Sequence, residues 1–279
     1  MVIEAKPKNL INKLKNIIYH KISFMLMNKI IASSKIMKSS LVHNGFDSKK
    51  IDIIPNGVDI NRFRPFTSNE RKINKKKEMR FKEEEKIVIF VGFFTRRKGA
   101  DLLIDAWSKV IKKESSAKLL IVGPYKPSKA NTNYEKSWFD LIFYENIKKT
   151  IKNNKLSDSI TFTNEVTEVQ EYFKISDIFV FPSRKEGMGN VVCEAMATGL
   201  PCILTPYIGL PDEFGTPGEE YILSSSNSSS IAKELLKLMN DKTLRSQIGF
   251  RGLKKIMSMD LTNSLNKYVE VFFSLKNNK

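Results

Sequence analysis

The sequence predicts an α/β fold built on a doubly wound parallel sheet, and three observations predict it. From Lys86 onward, short apolar runs alternate with longer amphipathic stretches. The runs are continuous rather than alternating, as strands covered on both faces require. One of them, Ile178–Phe181, opens into a glycine-bearing loop and then a short apolar helical pattern. That strand, loop and helix form the repeating unit of such sheets, whose ligands sit at the carboxyl ends of the strands.

Taken in order, the first stretch is basic with helical spacing. Lys13, Lys15, Lys21 and Lys29 interleave with Leu14, Ile17, Ile18 and Ile22. This pattern suits a helix packed on its own protein or lying on an anionic surface. Ile30–Ala32 reads as a short strand, and Ser33 and Ser34 can cap a helix that runs to the Asn44-Gly45 turn. Ile51 to Val58 is a strand entering a Pro-Asn-Gly bend. Phe63 to Lys86 reads as a linker by composition, with charge runs at Arg71–Lys77 and Glu83–Glu85.

Ile87–Val91 is then a buried strand, and Ala100–Lys113 a helix with Leu102, Leu103, Ala106 and Val110 on one face. Leu119–Val122 is a strand ending in Gly123-Pro124, Lys126–Asn133 a mobile polar loop, and Trp138–Lys152 a helix. Ile160–Phe162, Val166–Ile175 and Ile178–Phe181 read as strand, helix and strand. Gly187 and Gly189 do not suit a helix interior and mark a loop. Asn190 is the expected N-cap of a helix over Val191–Thr198, with Gly199 past its end and Pro201 as a stop. Cys202–Thr205 and Tyr221–Leu223 are the last strands, followed by helices at Ile231–Met239, Leu244–Met257 and Leu261–Leu275.

Composition narrows the function classes. The formal net charge is +17, and most of the excess falls in the first 86 residues. Such a balance suits phosphate-bearing partners or an anionic membrane surface, and equally a merely solvated face. No zinc module, recognition helix or aromatic stacking platform accompanies the charge, so nucleic acid is not an expected partner. The two histidines, His20 and His43, exclude a multi-histidine metal site within the sequence. Cys193 and Cys202 sit in apolar elements without ligand spacing, which suits buried thiols in a reducing, cytoplasmic setting. The apolar run Ile17–Ala32 is broken by His20, Lys21, Asn28 and Lys29, too often for a membrane span.

Two loops carry the candidate chemistry. In the first, Ser183 to Asn190 joins a strand end to a helix start, where backbone N–H groups and the helix dipole favour an anion. Glu186 and Glu194 flank it, and each carboxylate can accept two hydroxyl donors from a sugar or ribose ring. In the second, Val91-Gly92 ends a strand and Arg96, Arg97 and Lys98 follow before Gly99. Gly92 lets backbone approach a ligand, and the three cations suit a diphosphate.

Four blocks together resemble the group 1 glycosyltransferases, retaining enzymes of the GT-B fold with two Rossmann-like domains facing a cleft. The blocks are Ile54-Pro-Asn-Gly-Val-Asp59, Val91-Gly92 with Lys98-Gly99, Leu120-Ile-Val-Gly123, and Glu186-Gly with Glu194-Ala-Met-Ala and Gly199-Leu-Pro201. The resemblance runs from about Ile30 to about Met257. It implies glycosyl transfer from a nucleoside-diphosphate sugar with retention, with no metal and no cofactor beyond that co-substrate. It implies that Glu194 binds the ribose hydroxyls and that Glu186 lies near the donor sugar. Gly187, Met188, Gly189, Asn190 and Val191 would form the loop and helix start that hold sugar and phosphate. Lys98 would neutralise the leaving diphosphate, Gly123 would lie beside the nucleotide, and Val166 would contact the base through its backbone.

Two departures shape the expectation. The family places Arg directly after the strand's Gly; here Phe93 stands there, leaving Arg96 or Arg97 to substitute. Ile30–Val58 resembles only the end of the acceptor half. The expected organisation is therefore an acceptor-domain remnant over residues 1–58 and a charged linker over 59–86. A nucleotide-sugar-binding domain follows over 87–260, and a crossover helix over 261–279. A separate chain supplying the missing half, or a second copy, is an expected partner at the remnant's open strand edges. A non-catalytic nucleotide-sugar-binding subunit is the competing reading. The basic first third suits peripheral contact with a membrane carrying the acceptor.

Overall fold

The computed structural model describes residues 27–126 and 141–277. The expected loop Lys126–Asn133 beyond its first residue, the beginning of the helix expected at Trp138, and the basic pattern before Met27 lie outside the described residues. A small parallel pair comes first: β1 (Ile30–Ala32) beside β2 (Ile51–Ile53), joined by helix α1 (Lys35–His43). Ser34 caps α1, its Oγ accepting from Met37 N at 3.1 Å.

The main sheet has six parallel strands in the order β5-β4-β3-β6-β7-β8. They are β3 (Ile87–Val91), β4 (Lys118–Val122), β5 (Ile160–Phe162), β6 (Ile178–Phe181), β7 (Cys202–Leu204) and β8 (Ile222–Leu223). The continuous apolar runs have the predicted meaning: Ile87, Val88, Ile89 and Phe90 are fully buried, as are Phe179 to Phe181. Each such side chain contributes on the order of 1.5–3 kcal/mol on burial. Helices α3 (Ala100–Val110) and α4 (Leu141–Asn153) follow β3 and β4, and α5 (Val169–Ile175) follows β5. Trp107 of α3 is fully buried, and its Nε1 donates to Ser159 Oγ at 3.0 Å. Helix α6 (Asn190–Ala197) follows β6, and α7 (Ser228–Asn240), α8 (Lys242–Ile256) and α9 (Leu261–Asn277) end the chain. The chain winds outward from β3 on one side and from β6 on the other, so the winding reverses between these two neighbours. A crevice opens at the carboxyl ends of such a pair.

Residues 59–86 differ from the linker expected of them. They hold helix α2 (Asn69–Glu78), which docks through charge rather than an apolar stripe. Lys72 Nζ lies 2.7 Å from Asp177 Oδ1, and Lys76 Nζ lies 3.5 Å from Asp177 Oδ2. Lys76 is buried and also donates to Glu85 O at 2.8 Å. Asp177 further accepts from Ile87 N at 2.8 Å, tying α2 to the start of β3. Burial pushes the Asp177 carboxyl up, but the two lysines and the Ile87 amide outweigh it and hold the pKa below its ordinary value.

Candidate active site

The crevice between β3 and β6 holds a cavity of about 560 Å³. From the β3 side it is lined by Val91, Gly92 and Lys98, and from the β4 end by Val122 and Gly123. From the β6 side come Glu186, Gly187, Met188, Gly189, Asn190, Val191 and Glu194. Val166 also lines it, beyond β5. The structure therefore brings together eleven of the thirteen residues singled out in the sequence.

Arg96 and Arg97 are the two it leaves out of the lining. The Arg96 guanidinium sits over the Phe143 ring at 5.6 Å, and its carbonyl accepts from Arg184. Arg97 Nη1 donates to Lys185 O at 3.1 Å and lies 3.5 Å from Glu186 Oε1. The Arg96 backbone and the Arg97 side chain thus join the two loops, while the Arg96 guanidinium lies against α4. Phe93 itself is 42% exposed.

Lys98 is placed by the turn into α3. Gly99, with φ +76°, is the residue before the helix, and a Cβ there would come within 2.0 Å of Pro182 O. This close approach brings Lys98 against β6, with Nζ 2.8 Å from Glu186 Oε1 and 5.1 Å from the centre of the Phe181 ring. Both side chains are largely buried, at 13% and 9% exposure. Ser183 Oγ donates to the same Glu186 oxygen at 2.5 Å. Burial lowers the Lys98 pKa, and the Glu186 carboxylate opposes that shift.

Helix α6 begins one residue earlier than predicted. Asn190 is not the N-cap; Gly189 takes that position at φ +86°, and no side chain caps the helix. The reason is local backbone: a Cβ at residue 189 would lie 2.8 Å from Tyr207 Oη, and left-handed backbone suits Gly rather than Asn here. Tyr207 Oη donates to Met188 O at 3.1 Å, and Glu186 N donates to Ile208 O at 3.0 Å. The loop is thus braced from β7, and the uncapped helix start faces the cavity with its positive dipole end. Glu194, one turn in, has its carboxyl pushed up to about 7 by burial, with Arg62 opposing. Burial also pushes the Cys193 thiol up to about 12, so it stays protonated and inert.

Five lining residues are not among the site residues expected from the sequence: Asn56, Val91, Val122, Glu165 and Val169. Asn56 lies in the Pro-Asn-Gly bend, and its Nδ2 donates to Asn190 Oδ1 at 2.9 Å. The bend was legible, but nothing local signals that it reaches a helix so distant in sequence. Ser183, at the start of the same loop, orients Glu186 through its hydroxyl. Among the described residues, no group of three or more His, Cys, Asp or Glu is placed to hold a metal ion, and no helix is long and apolar enough to cross a membrane.

An uncapped helix start, a buried cation and two carboxylates around one crevice can hold a diphosphate flanked by hydroxyl-bearing rings. Comparison with known proteins agrees with that chemistry. The family described as "Glycosyl transferases group 1" matches residues 71–255. The capsular polysaccharide biosynthesis glycosyltransferase CapM of Staphylococcus aureus is 28% identical over 235 residues, covering 84% of this chain and 55% of CapM. The C-terminal domain of the group 1 family protein LpcC from Francisella tularensis superposes with a TM-score of 0.61 at 25% identity. That match covers 72% of this chain and 97% of the domain. Anabaena HepE, solved with UDP and glucose, shares the fold with a TM-score of 0.79 at 18% identity, over 93% of this chain and 67% of HepE. The chain spans about half the length of relatives such as CapM. With two thirds of its residues matched by the family and its parallel sheet matching GT-B structures, the chain belongs to the group 1 glycosyltransferases.

Proposed function

We propose that the chain binds a nucleoside-diphosphate sugar and takes part in retaining transfer of that sugar to an acceptor hydroxyl. The observation that carries this reading is the shared cavity of Lys98, Glu186, Glu194 and the α6 N-terminus. The diphosphate lies against Lys98 and the amides of Gly189 to Val191, the ribose hydroxyls donate to Glu194, and the sugar lies by Glu186. Val166 and Gly123 flank the nucleotide. When the bond from the anomeric carbon to the phosphate oxygen breaks, charge grows on the diphosphate. Lys98 and the helix dipole stabilise it where they already stand, without reorganisation. The acceptor attacks on the face the phosphate leaves, and its proton passes to the departing oxygen. No metal enters this scheme.

HepE has been solved with UDP-glucose, which makes that donor the first to test. Incubation with UDP-, GDP- and ADP-sugars, alone and with acceptor-side partner chains, should release nucleoside diphosphate from one donor class. Binding without release under every condition supports the second reading, a non-catalytic donor-binding subunit, which the exposed Phe93 in the family's Arg position favours. Binding of no donor or diphosphate contradicts both.

For partners, the proposal is a chain or second copy that completes the acceptor side next to β1, β2 and α9. Helix α9 exposes Leu265, Val269, Phe272 and Phe273. The proposal keeps the domain limits expected from the sequence, except that residues 59–86 carry helix α2 in place of a plain linker. A peripheral membrane contact through the basic first third is tested by sedimentation with anionic liposomes.

A further inference from the structure

We propose that Asn56 is a positioning residue of the donor cavity, acting through Asn190 to set the start of helix α6. This rests on the function proposed above, and adds to it a residue supplied from outside the main sheet.

Asn56 follows β2, in the segment where the chain first passes from the small β1–β2 pair toward the main sheet. That passage is fastened to the second one, where α9 begins. Val58 N donates to Met259 O at 2.9 Å, and Leu261 N donates to Val58 O at 3.0 Å. Ser264 Oγ, on a buried residue, donates to Pro55 O at 2.9 Å. Gly57 leaves no room between the strands of chain: a Cβ there would meet Leu261 Cα at 2.4 Å. The residues on either side of Asn56 are therefore held by the Ser264 hydroxyl and by close packing against the start of α9, and Val58 beyond them by backbone bonds.

From this fixed base Asn56 reaches the cavity wall. Its Nδ2 donates to Asn190 Oδ1 at 2.9 Å, and both residues line the cavity. Asn190 is the first residue of α6, the helix whose start no side chain caps. An uncapped first turn frays unless something holds it. Tyr207 holds the residue two before it, at Met188 O. Asn56 holds Asn190 itself, and it does so with the side chain, leaving the backbone N–H groups of the first turn available to an anion. The two contacts come from separate parts of the chain, one from the loop after β7 and one from the bend after β2.

A double-mutant cycle on the full chain tests this. Calorimetry with UDP, GDP and ADP first identifies the diphosphate that the unmodified chain binds. Asn56→Ala and Asn190→Ala are each expected to weaken that binding roughly threefold to tenfold, the worth of one neutral hydrogen bond. The double variant is expected to lose no more than either single variant, because both act through one contact. Losses that multiply in the double variant overturn the proposal and show that Asn56 meets the ligand directly. Unchanged binding in Asn56→Ala overturns it outright. Thermal unfolding of each variant separates a lost fold from a lost contact: binding that falls only as stability falls, and returns with it in Asn56→Gln, overturns the proposal as a merely structural effect, whereas weakened binding at unchanged stability supports it. If the unmodified chain binds none of the three diphosphates, the proposed function fails first.

Discussion

Lys98 Nζ stands 2.8 Å from Glu186 Oε1, so the cation offered to a diphosphate is already engaged by a buried carboxylate. Burial lowers the Lys98 pKa, and Glu186 is the group that opposes this. Arg97, whose charge also faces the pair, pushes the Lys98 pKa down. Removing the cation by Lys98→Ala should weaken diphosphate binding by about tenfold or more, the worth of a charged hydrogen bond. Glu186→Gln should leave Lys98 to lose its proton at lower pH. The alkaline fall in diphosphate affinity then moves to lower pH than in the unmodified chain. A pH series of calorimetric titrations reads this, and an unmoved alkaline limb contradicts the role assigned to Glu186.

Glu194 gives a second pH dependence, on the acid side. Its carboxyl is raised from 4.5 to about 7, with burial as the main cause. Below that value it is protonated and accepts poorly from ribose hydroxyls, so nucleotide affinity should rise as the pH passes upward through about 7. Glu194→Gln should flatten the rise. Stability moves the other way. The folded chain holds a proton that the unfolded chain releases between 4.5 and about 7, so this group's contribution to stability falls as pH rises across that window. Nucleotide affinity that is level across neutral pH in the unmodified chain contradicts the placement of Glu194 at the ribose.

Phe93→Arg restores a cation where the family carries one. Phe93 follows Gly92, which lines the cavity, and is 42% exposed. The substitution should tighten diphosphate binding by about tenfold, the scale of one charge-assisted hydrogen bond. Unchanged affinity would show that residue 93 does not face the donor.

Asp177→Ala should be among the most destabilising single changes, costing about 3–5 kcal/mol, because it leaves Lys76 buried without its counter-charge. Asp177 is held below its ordinary value of 3.8, so its stabilising share is complete above that value and is lost as pH falls through the lower folded value. Asp177→Asn should remove this acid-limb loss. Denaturant unfolding at neutral and acid pH checks both, and a cost under about 1 kcal/mol for the alanine variant contradicts the docking of α2.

What the sequence showed and hid follows from the range of the forces involved. The central strands β3, β4, β6 and β7 were legible because strands covered on both faces leave continuous apolar runs, as in Ile87–Val91 and Ile178–Phe181. Helix α2 was hidden because its segment, Asn69–Glu78, has no apolar stripe and is held by Asp177, far along the chain. The glycines of the α6 loop announced a turn, but which residue took the left-handed backbone depended on Tyr207 from the next strand's loop. Three adjacent cations, Arg96, Arg97 and Lys98, look equivalent in sequence. The Phe143 ring, the Lys185 carbonyl and the Glu186 carboxylate tell them apart: the Arg96 guanidinium lies against α4, Arg97 braces the two loops, and Lys98 lines the cavity.

Binding of nucleoside diphosphates to the full chain and to Lys98→Ala is the most direct measurement. One of UDP, GDP and ADP should bind the unmodified chain, and the same ligand should bind Lys98→Ala at least about tenfold more weakly with the fold intact. A chain that binds none of them, or one whose Lys98→Ala variant binds as tightly as before, would contradict a diphosphate seated between Lys98 and the start of α6.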